Sequence, residues 1–539
     1  MKRSILILAA LVACLAGRAE TAFVMLNDGS VQQYDAETVT FSTDGTVVDI
    51  VTVDGLTVSC AVADVKQITF AQPTGAQPET FAIPETVAFD SADATSFTSQ
   101  TEKVTSDADD DEYGDFIENF SPKGTITIIY NGSSVTKSGS VSGVNVSIKG
   151  ADVTITSSKK AEIVLKGTSS DGSLKLYATK KCQLTFDNFS LKNADGPAIA
   201  LPKLVSGANE YGGKTVLVKL VGKSSLEDGN YTPDSSSKGT FFSEGQLIFS
   251  GTGSLNVISH SGHGIASDDY VRLRGNSSDG KSKHAPVITV KSAKDGISTK
   301  DGFFMYGGSL TVDAGDDGID VSKANVQICG GSLTITAADE GVTTSYVYDP
   351  QDPAKAAPDI DILGGFIAVN TTGEKAHAFK SVGNLTLAGG TVQAAVKGAG
   401  SKCFNADGNI VMSSGKATLI ADGLPQWDDE ENDLSSSTGI RSRGTLTLSG
   451  ATVAMMATAD GGKGINSTGN ITVSGGRVTI LTHGKNYKQG ETNSRARGIT
   501  GDAALQVTGG RVVVASADDC LRSVSYSQSG GVLVKKKLK

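Results

Sequence analysis

From Gly124 to the end of the chain, apolar and polar residues alternate in short runs of period two, and Gly, Asn or Asp breaks each run. Period two is the spacing of a strand with one covered face, and Gly-Asn-Asp punctuation predicts turns between strands. A Gly-apolar step recurs along this stretch. It places Ile265, Ile297, Ile319, Val342, Phe379, Phe404, Ile440, Ile465, Ile499 and Leu521 at equivalent positions. The basic unit is 22 to 25 residues, and four units carry insertions. After each step come a polar link, a strand, a Gly-Gly pair and a second strand, as in MYGGSLTV, ICGGSLTI, ILGGFIAV and VSGGRVTI.

This pattern predicts an all-β, right-handed parallel β-helix over 124–539. One repeat climbs about 4.8 Å, the spacing of hydrogen-bonded strands. The aligned Ile, Val, Phe and Leu stack as an inward column that a single repeat cannot bury alone. The residue before each of them is small: Gly264, Gly296, Gly318, Gly341, Ala378, Cys403, Gly439, Gly464, Gly498 and Cys520. Cys403 and Cys520 therefore fill a tight slot, too far apart for a disulfide. A β-sandwich is the alternative fold, but a sandwich does not keep one phrase over so many units.

Ahead of the repeats, residues 20–71 hold two similar lines, MLNDGSVQQYDAETVTF and TVDGLTVSCAVADVKQITF. Each reads as an Asp-Gly turn between alternating strands, so a small β module is expected. Residues 72–123 are poor in apolar side chains and include the acidic run SDADDDEYGD at 106–115, which predicts a solvated linker.

The first 19 residues, MKRSILILAALVACLAGRA, have a basic head and a short apolar core, as an export signal does. Two cuts are open. Gly17-Arg18-Ala19 suits ordinary signal peptidase, and Leu11-Val12-Ala13-Cys14 fits a lipobox that would anchor Cys14 to a membrane by lipid. The expected location is extracellular or on the outer cell surface. Beyond Cys14, the five cysteines at 60, 182, 329, 403 and 520 are odd in number and scattered, which predicts free buried thiols. A net charge of −10 lacks the positive field that draws phosphates, so a nucleic-acid partner is not expected.

Candidate chemistry comes from stacking the repeats. Two positions before the apolar step lies a column predicted to face outward, and three consecutive rungs carry Asp295, Asp317 and Glu340. Asp316 and Asp339 stand beside them, and Asp320 lies across the corner. Like charges about 5 Å apart repel, and a hard cation with oxygen ligands relieves this; Ca2+ fits best. The competing reading is a solvated acidic edge partly paired with Lys294, Lys300 and Lys323.

On the other side of the step a second column reads Lys380, Asn405, Arg441, Asn466, Thr500, Arg522. Amide and cation groups in alternation suit sugar hydroxyls and carboxylates, and equally suit a simple ladder of hydrogen bonds. Insertions at 423–437 and 484–496 interrupt equivalent points two repeats apart. They carry Trp427, the only tryptophan, and Tyr487 with Arg495. Exposed aromatics on loops stack on sugar faces, or pin their own loop. A third insertion, 345–358, offers Tyr346 and Tyr348.

The five histidines, at 260, 263, 284, 377 and 483, lack the spacing of a helical metal pair, and GxSxG, P-loop and HExxH patterns are missing. Stacked carboxylates could serve a glycosidase or a lyase. A lyase also needs a strong base, for which Lys294 and Lys300 are weak candidates.

The phrases NADGPAIAL (193–201), GHGIASDDYVRLRG (262–275), KDGISTKDGFFMYGGSLTV (294–312) and DDGIDVSKANVQICGGSLTI (316–335) together resemble a family of secreted bacterial carbohydrate-binding proteins, first described in a cellulolytic clostridium. The resemblance implies a right-handed parallel β-helix shaped like pectate lyases, with calcium sites. It also implies binding of cellulose-like and acidic pectin-like polysaccharides without established lyase activity. It covers 124–400 well and the later repeats more loosely. The family tends to have Lys or Arg after the apolar position, where this chain has Ala266, Ser298 and Asp320 in the early repeats. The 20–71 module is similar to small β segments of exported bacterial proteins, which implies attachment or spacing. The sequence therefore predicts an exported, calcium-stabilised, non-catalytic polysaccharide binder. Its alternatives are a polysaccharide lyase or glycoside hydrolase on the same scaffold, or an adhesin that grips host protein.

Overall fold

The computed structural model describes residues 20–538, apart from 76, 81–82, 207–208 and 347–355. Residues 1–19, where an export signal and Cys14 are expected, and Tyr348 lie outside the described residues. The chain divides into a middle unit, residues 90–393, and a terminal unit formed by 20–89 with 394–538. Both are all-β with long parallel sheets; the helical elements among the described residues are short 3-10 turns.

In the middle unit the Gly-apolar steps lie on short strands that pair in parallel, each with the next repeat. His263–Ser267, Ile297–Thr299, Ile319–Val321, Val342–Thr344 and Phe379–Ser381 form this series. Ile265, Ile297, Ile319, Val342 and Phe379 are direct partners from rung to rung, as the sequence alignment predicts. A second parallel series runs through Ser254–Ile258, Val287–Ser292, Ser309–Ala314, Ser332–Ala337 and Phe366–Thr371. The apolar column is fully buried: Ile265, Ile297, Ile319, Val342 and Phe379 are each 0% exposed. Each such side chain contributes about 1.5–3 kcal/mol through burial.

The small residue before each apolar one has a steric cause. A Cβ on Gly296 would lie 2.2 Å from Val312 Cγ1, and one on Gly341 would lie 2.2 Å from Val369 Cγ1. At this step two consecutive residues face inward, and only one can carry a large side chain.

In the terminal unit the same grammar continues. Lys402–Ala406, Thr438–Ser442, Lys463–Ser467, Arg497–Gly501 and Leu521–Arg522 pair in parallel, with Phe404, Ile440, Ile465, Ile499 and Leu521 in register. The 20–71 module is antiparallel, and its strand Leu56–Ala61 pairs antiparallel with Ser525–Lys537 at the end of the chain. Val24, Ile50, Val58 and Cys60 share one core with Val513, Val532 and Val534. The module thus covers a sheet edge that would otherwise expose unpaired backbone groups. Four of the five described cysteines are buried, Cys520 is half-buried, and all are free.

The expectation of a solvated 72–123 stretch is corrected for part of its length. Glu102 is 1%, Asp115 6% and Phe116 0% exposed. Glu102 Oε1 accepts from Arg272 Nη2 at 2.7 Å, and its other oxygen from Arg274 Nε. Asp115 Oδ2 accepts from Arg272 Nη1 at 3.0 Å, and the Phe116 ring lies 4.5 Å from the Arg274 guanidinium carbon. The physical reason is charge pairing: the acidic segment meets two arginines of the VRLRG phrase. The Gly-Gly corners admit it, because a Cβ on Gly330 would meet Ser99 Cβ at 2.8 Å.

Candidate functional site

Parallel register stacks the carboxylates of the middle unit. Because Ile297, Ile319 and Val342 are rung partners, Asp295, Asp317 and Glu340 fall on successive rungs. One carboxylate oxygen from each of Asp316, Asp317 and Asp339 lies within 4.8 Å of the other two. Asp317 Oδ1 accepts the Glu340 N–H at 2.9 Å. The other three predicted ligands are engaged elsewhere. Glu340 Oε1 takes Lys380 Nζ at 2.6 Å, Asp295 Oδ2 lies 3.0 Å from His263 Nδ1, and Asp320 Oδ1 accepts from Ser345 Oγ at 2.8 Å.

The column is less open than its predicted outward face implies. Asp295 is 6% and Glu340 5% exposed, and Lys300 pairs with Asp268 at 2.9 Å rather than with these carboxylates. Flanking side chains, His263 and Lys380 among them, close over it. The cost appears in proton affinity. Burial, then Glu340 and Asp295, raise the Asp317 carboxyl well above its ordinary range. Burial and Glu340 raise Asp339 in the same way, and burial pushes Asp320 up to about 6. A carboxylate cluster in this state either takes up protons or holds a cation. Asp316, Asp317 and Asp339 present an all-oxygen set, the donor chemistry of Ca2+.

The predicted sugar-contact residues fall in two groups. Lys380 belongs to the acidic cluster through Glu340. The 423–437 and 484–496 insertions are β-hairpins: Gln426–Asp428 pairs with Asp433–Ser435, and Tyr487–Gln489 with Thr492–Ser494. They meet at Gly461, where an added Cβ would lie 2.7 Å from Pro425 Cγ and 2.9 Å from Tyr487 Cβ. Trp427 and Tyr487 are half-buried. Arg441 donates to Glu431 at 2.6 Å and, on the neighbouring rung, to Asn405 at 3.2 Å. Arg495 is paired with Asp518 at 2.5 Å.

A groove of about 800 Å³ in the middle unit was not singled out from sequence. Tyr177, Tyr231, Asp152, Asp171 and Lys175 line it. Its residues come from repeats ahead of Ile265, where the Gly-apolar step is less regular and gave no register to follow.

A family model described as carbohydrate-binding domain-containing protein matches residues 149–381, 355–485 and 458–536. The chain belongs to this carbohydrate-binding domain family. No curated protein matches it. Among solved structures it is similar to the polysaccharide lyase-like protein from C. thermocellum, a gadolinium derivative. That similarity has 16% identity and a TM-score of 0.35, and covers 54% of this chain and 97% of the other.

Proposed function

We propose that this protein is an exported, non-catalytic polysaccharide-binding protein of the cell surface, wound as a right-handed parallel β-helix and stabilised by Ca2+. The observation that carries the reading is the carbohydrate-binding family match, which spans the repeats of both units. Asp316, Asp317 and Asp339 would hold the cation, with Asp295, Asp320 and Glu340 around it. Trp427 and Tyr487 would stack on sugar rings, with Arg441 and Arg495 beside them and Lys380 at the acidic cluster. Plant-type or acidic polysaccharide is the ligand class. In a chain of net charge −10 a cation at the acidic cluster would bridge it to an acidic ligand, which gives Ca2+ a part in binding there. The binding reading is favoured over a lyase because the family whose model spans the repeats is described by carbohydrate binding.

Affinity electrophoresis through pectin-like polysaccharide and pull-down on cellulose, each with calcium and with EGTA, test this. Calcium-dependent retention with no sugar release is expected. Release of unsaturated or reducing ends would convert the reading to an enzyme, and no retention on either polymer would end it.

A further inference from the structure

The terminal unit carries basic side chains where the middle unit carries acidic ones. Along its short-strand series Lys402, Thr438, Lys463 and Arg497 are successive rung partners. The neighbouring column runs Asn405, Arg441, Asn466, Thr500, Arg522. Gly464 and Gly498 take the inward side at these rungs, since a Cβ on either would lie 2.1 Å from Ile480 Cγ2 or Val514 Cγ1. Lys463 and Arg497 therefore project from the opposite face, together with Asn466 and Thr500.

The hairpins lean over this face. Lys463 Nζ donates to Ser436 Oγ at 2.8 Å, beside the first hairpin, and to Ser494 Oγ at 3.2 Å, in the second. Its partners are hydroxyls, and it forms no ion pair among the described residues. Burial, then Arg497, pull its amine down to about 8, with Arg522 adding to the effect and Asp433 and Asp502 opposing it. Arg497 Nε is buried and makes no hydrogen bond among the described residues; the nearest carboxylate oxygen, Asp519 Oδ2, is 3.4 Å away and lies 3.8 Å from Arg495 as well. Thr500 is 5% exposed, and its Oγ1 also has no hydrogen-bond partner among the described residues. The buried Thr500 hydroxyl without a partner is costly, the Arg497 ion pair with Asp519 is long and leaves Nε without a hydrogen bond, and like charges on adjacent rungs add to the cost. An anionic oxygen group offsets these, accepting from an amine, a guanidinium and a hydroxyl at once.

We propose that Lys463, Arg497 and Thr500 form an oxyanion site under the two hairpins, which takes a carboxylate or sulfate group without a divalent cation. This deepens the reading of the hairpin face as a sugar surface, because it places the acidic group of a ligand beside Trp427 and Tyr487. The two sources are a uronic acid and a sulfated sugar.

The test is calorimetric titration of the full exported chain in EDTA, at constant ionic strength, with sodium sulfate, sodium glucuronate and neutral glucose. Sulfate or glucuronate is expected to bind, and the tighter of the two assigns the source. Lys463→Met is expected to weaken binding about tenfold, and the isosteric Thr500→Val about threefold with melting unchanged. Absence of binding by both anions, or equal binding by the parent and both variants, would overturn the site. Anion binding without retention on any polysaccharide would sink the sugar reading and leave the oxyanion site standing. Calcium-dependent retention without anion binding in EDTA would do the reverse.

Discussion

Glu102 and Glu112 both pair with Arg272, at 2.7 and 3.2 Å, yet their removal is expected to differ severalfold in cost. Glu102 is 1% exposed, while the Glu112 side chain is 54% exposed. Glu102 accepts from Arg272 through two nitrogens, from Arg274 Nε and from the Gly275 N–H. Glu102→Ala leaves two buried guanidiniums to share Asp115, Glu112 and Glu118. Breaking a buried pair by removing one partner costs about 3–5 kcal/mol. An exposed pair contributes about 0–1 kcal/mol, so Glu112→Ala is expected to stay under about 1 kcal/mol. For the middle unit, residues 90–393, each kcal/mol moves melting by about 1.6 °C, so Glu102→Ala is expected to melt at least about 5 °C lower. Differential scanning calorimetry of the parent and both variants measures this, and limited proteolysis reports release of the 98–118 segment. Equal losses from the two variants, or a Glu102→Ala loss below about 1 kcal/mol, would refute the claim that this segment is held by buried charge.

Gly498→Ala is expected to destabilise by about 1–3 kcal/mol through overpacking against Val514, which urea unfolding of the parent and the variant measures. In metal-free protein, Asp317, Asp320 and Asp339 hold protons more tightly folded than unfolded, so stability is expected to fall as pH rises from about 4 through Asp320's value of about 6 and beyond. Melting curves across that range read it, and calcium is expected to flatten the decline above pH 6. Trp427→Ala and Tyr487→Ala are each expected to weaken polysaccharide retention about fivefold or more without altering calcium affinity; unchanged retention in both would return the aromatics to pinning their own hairpins.

Local pattern carried the repeat register. Ile265 to Phe379, and Phe404 to Leu521, pair as the aligned Gly-apolar step requires, because each rung repeats the same steric demand at Gly296, Gly341 or Gly464. The same register brought Asp316, Asp317 and Asp339 together from sequence alone. It did not reveal how deeply Asp295 and Glu340 are buried, since that depends on flanking side chains and not on the strand they occupy. Nor could it foresee the pairing of Glu102 with Arg272, 170 residues away, or of Leu56–Ala61 with the final strand. These contacts join parts of the chain that share no repeat, so periodicity says nothing about them. Arg497 Nε and Thr500 Oγ1, which make no hydrogen bond among the described residues, belong to the same group: the residues align in sequence, but what their side chains meet is a property of the folded face.

The most direct test of the account is a calcium titration of metal-stripped protein by calorimetry, beside Asp317→Asn. The account predicts binding at micromolar calcium or tighter, a rise in melting temperature, and loss of both in the variant. Silence up to millimolar calcium, or equal binding by the variant, would contradict it and reduce Asp316, Asp317 and Asp339 to an acidic edge that holds no cation.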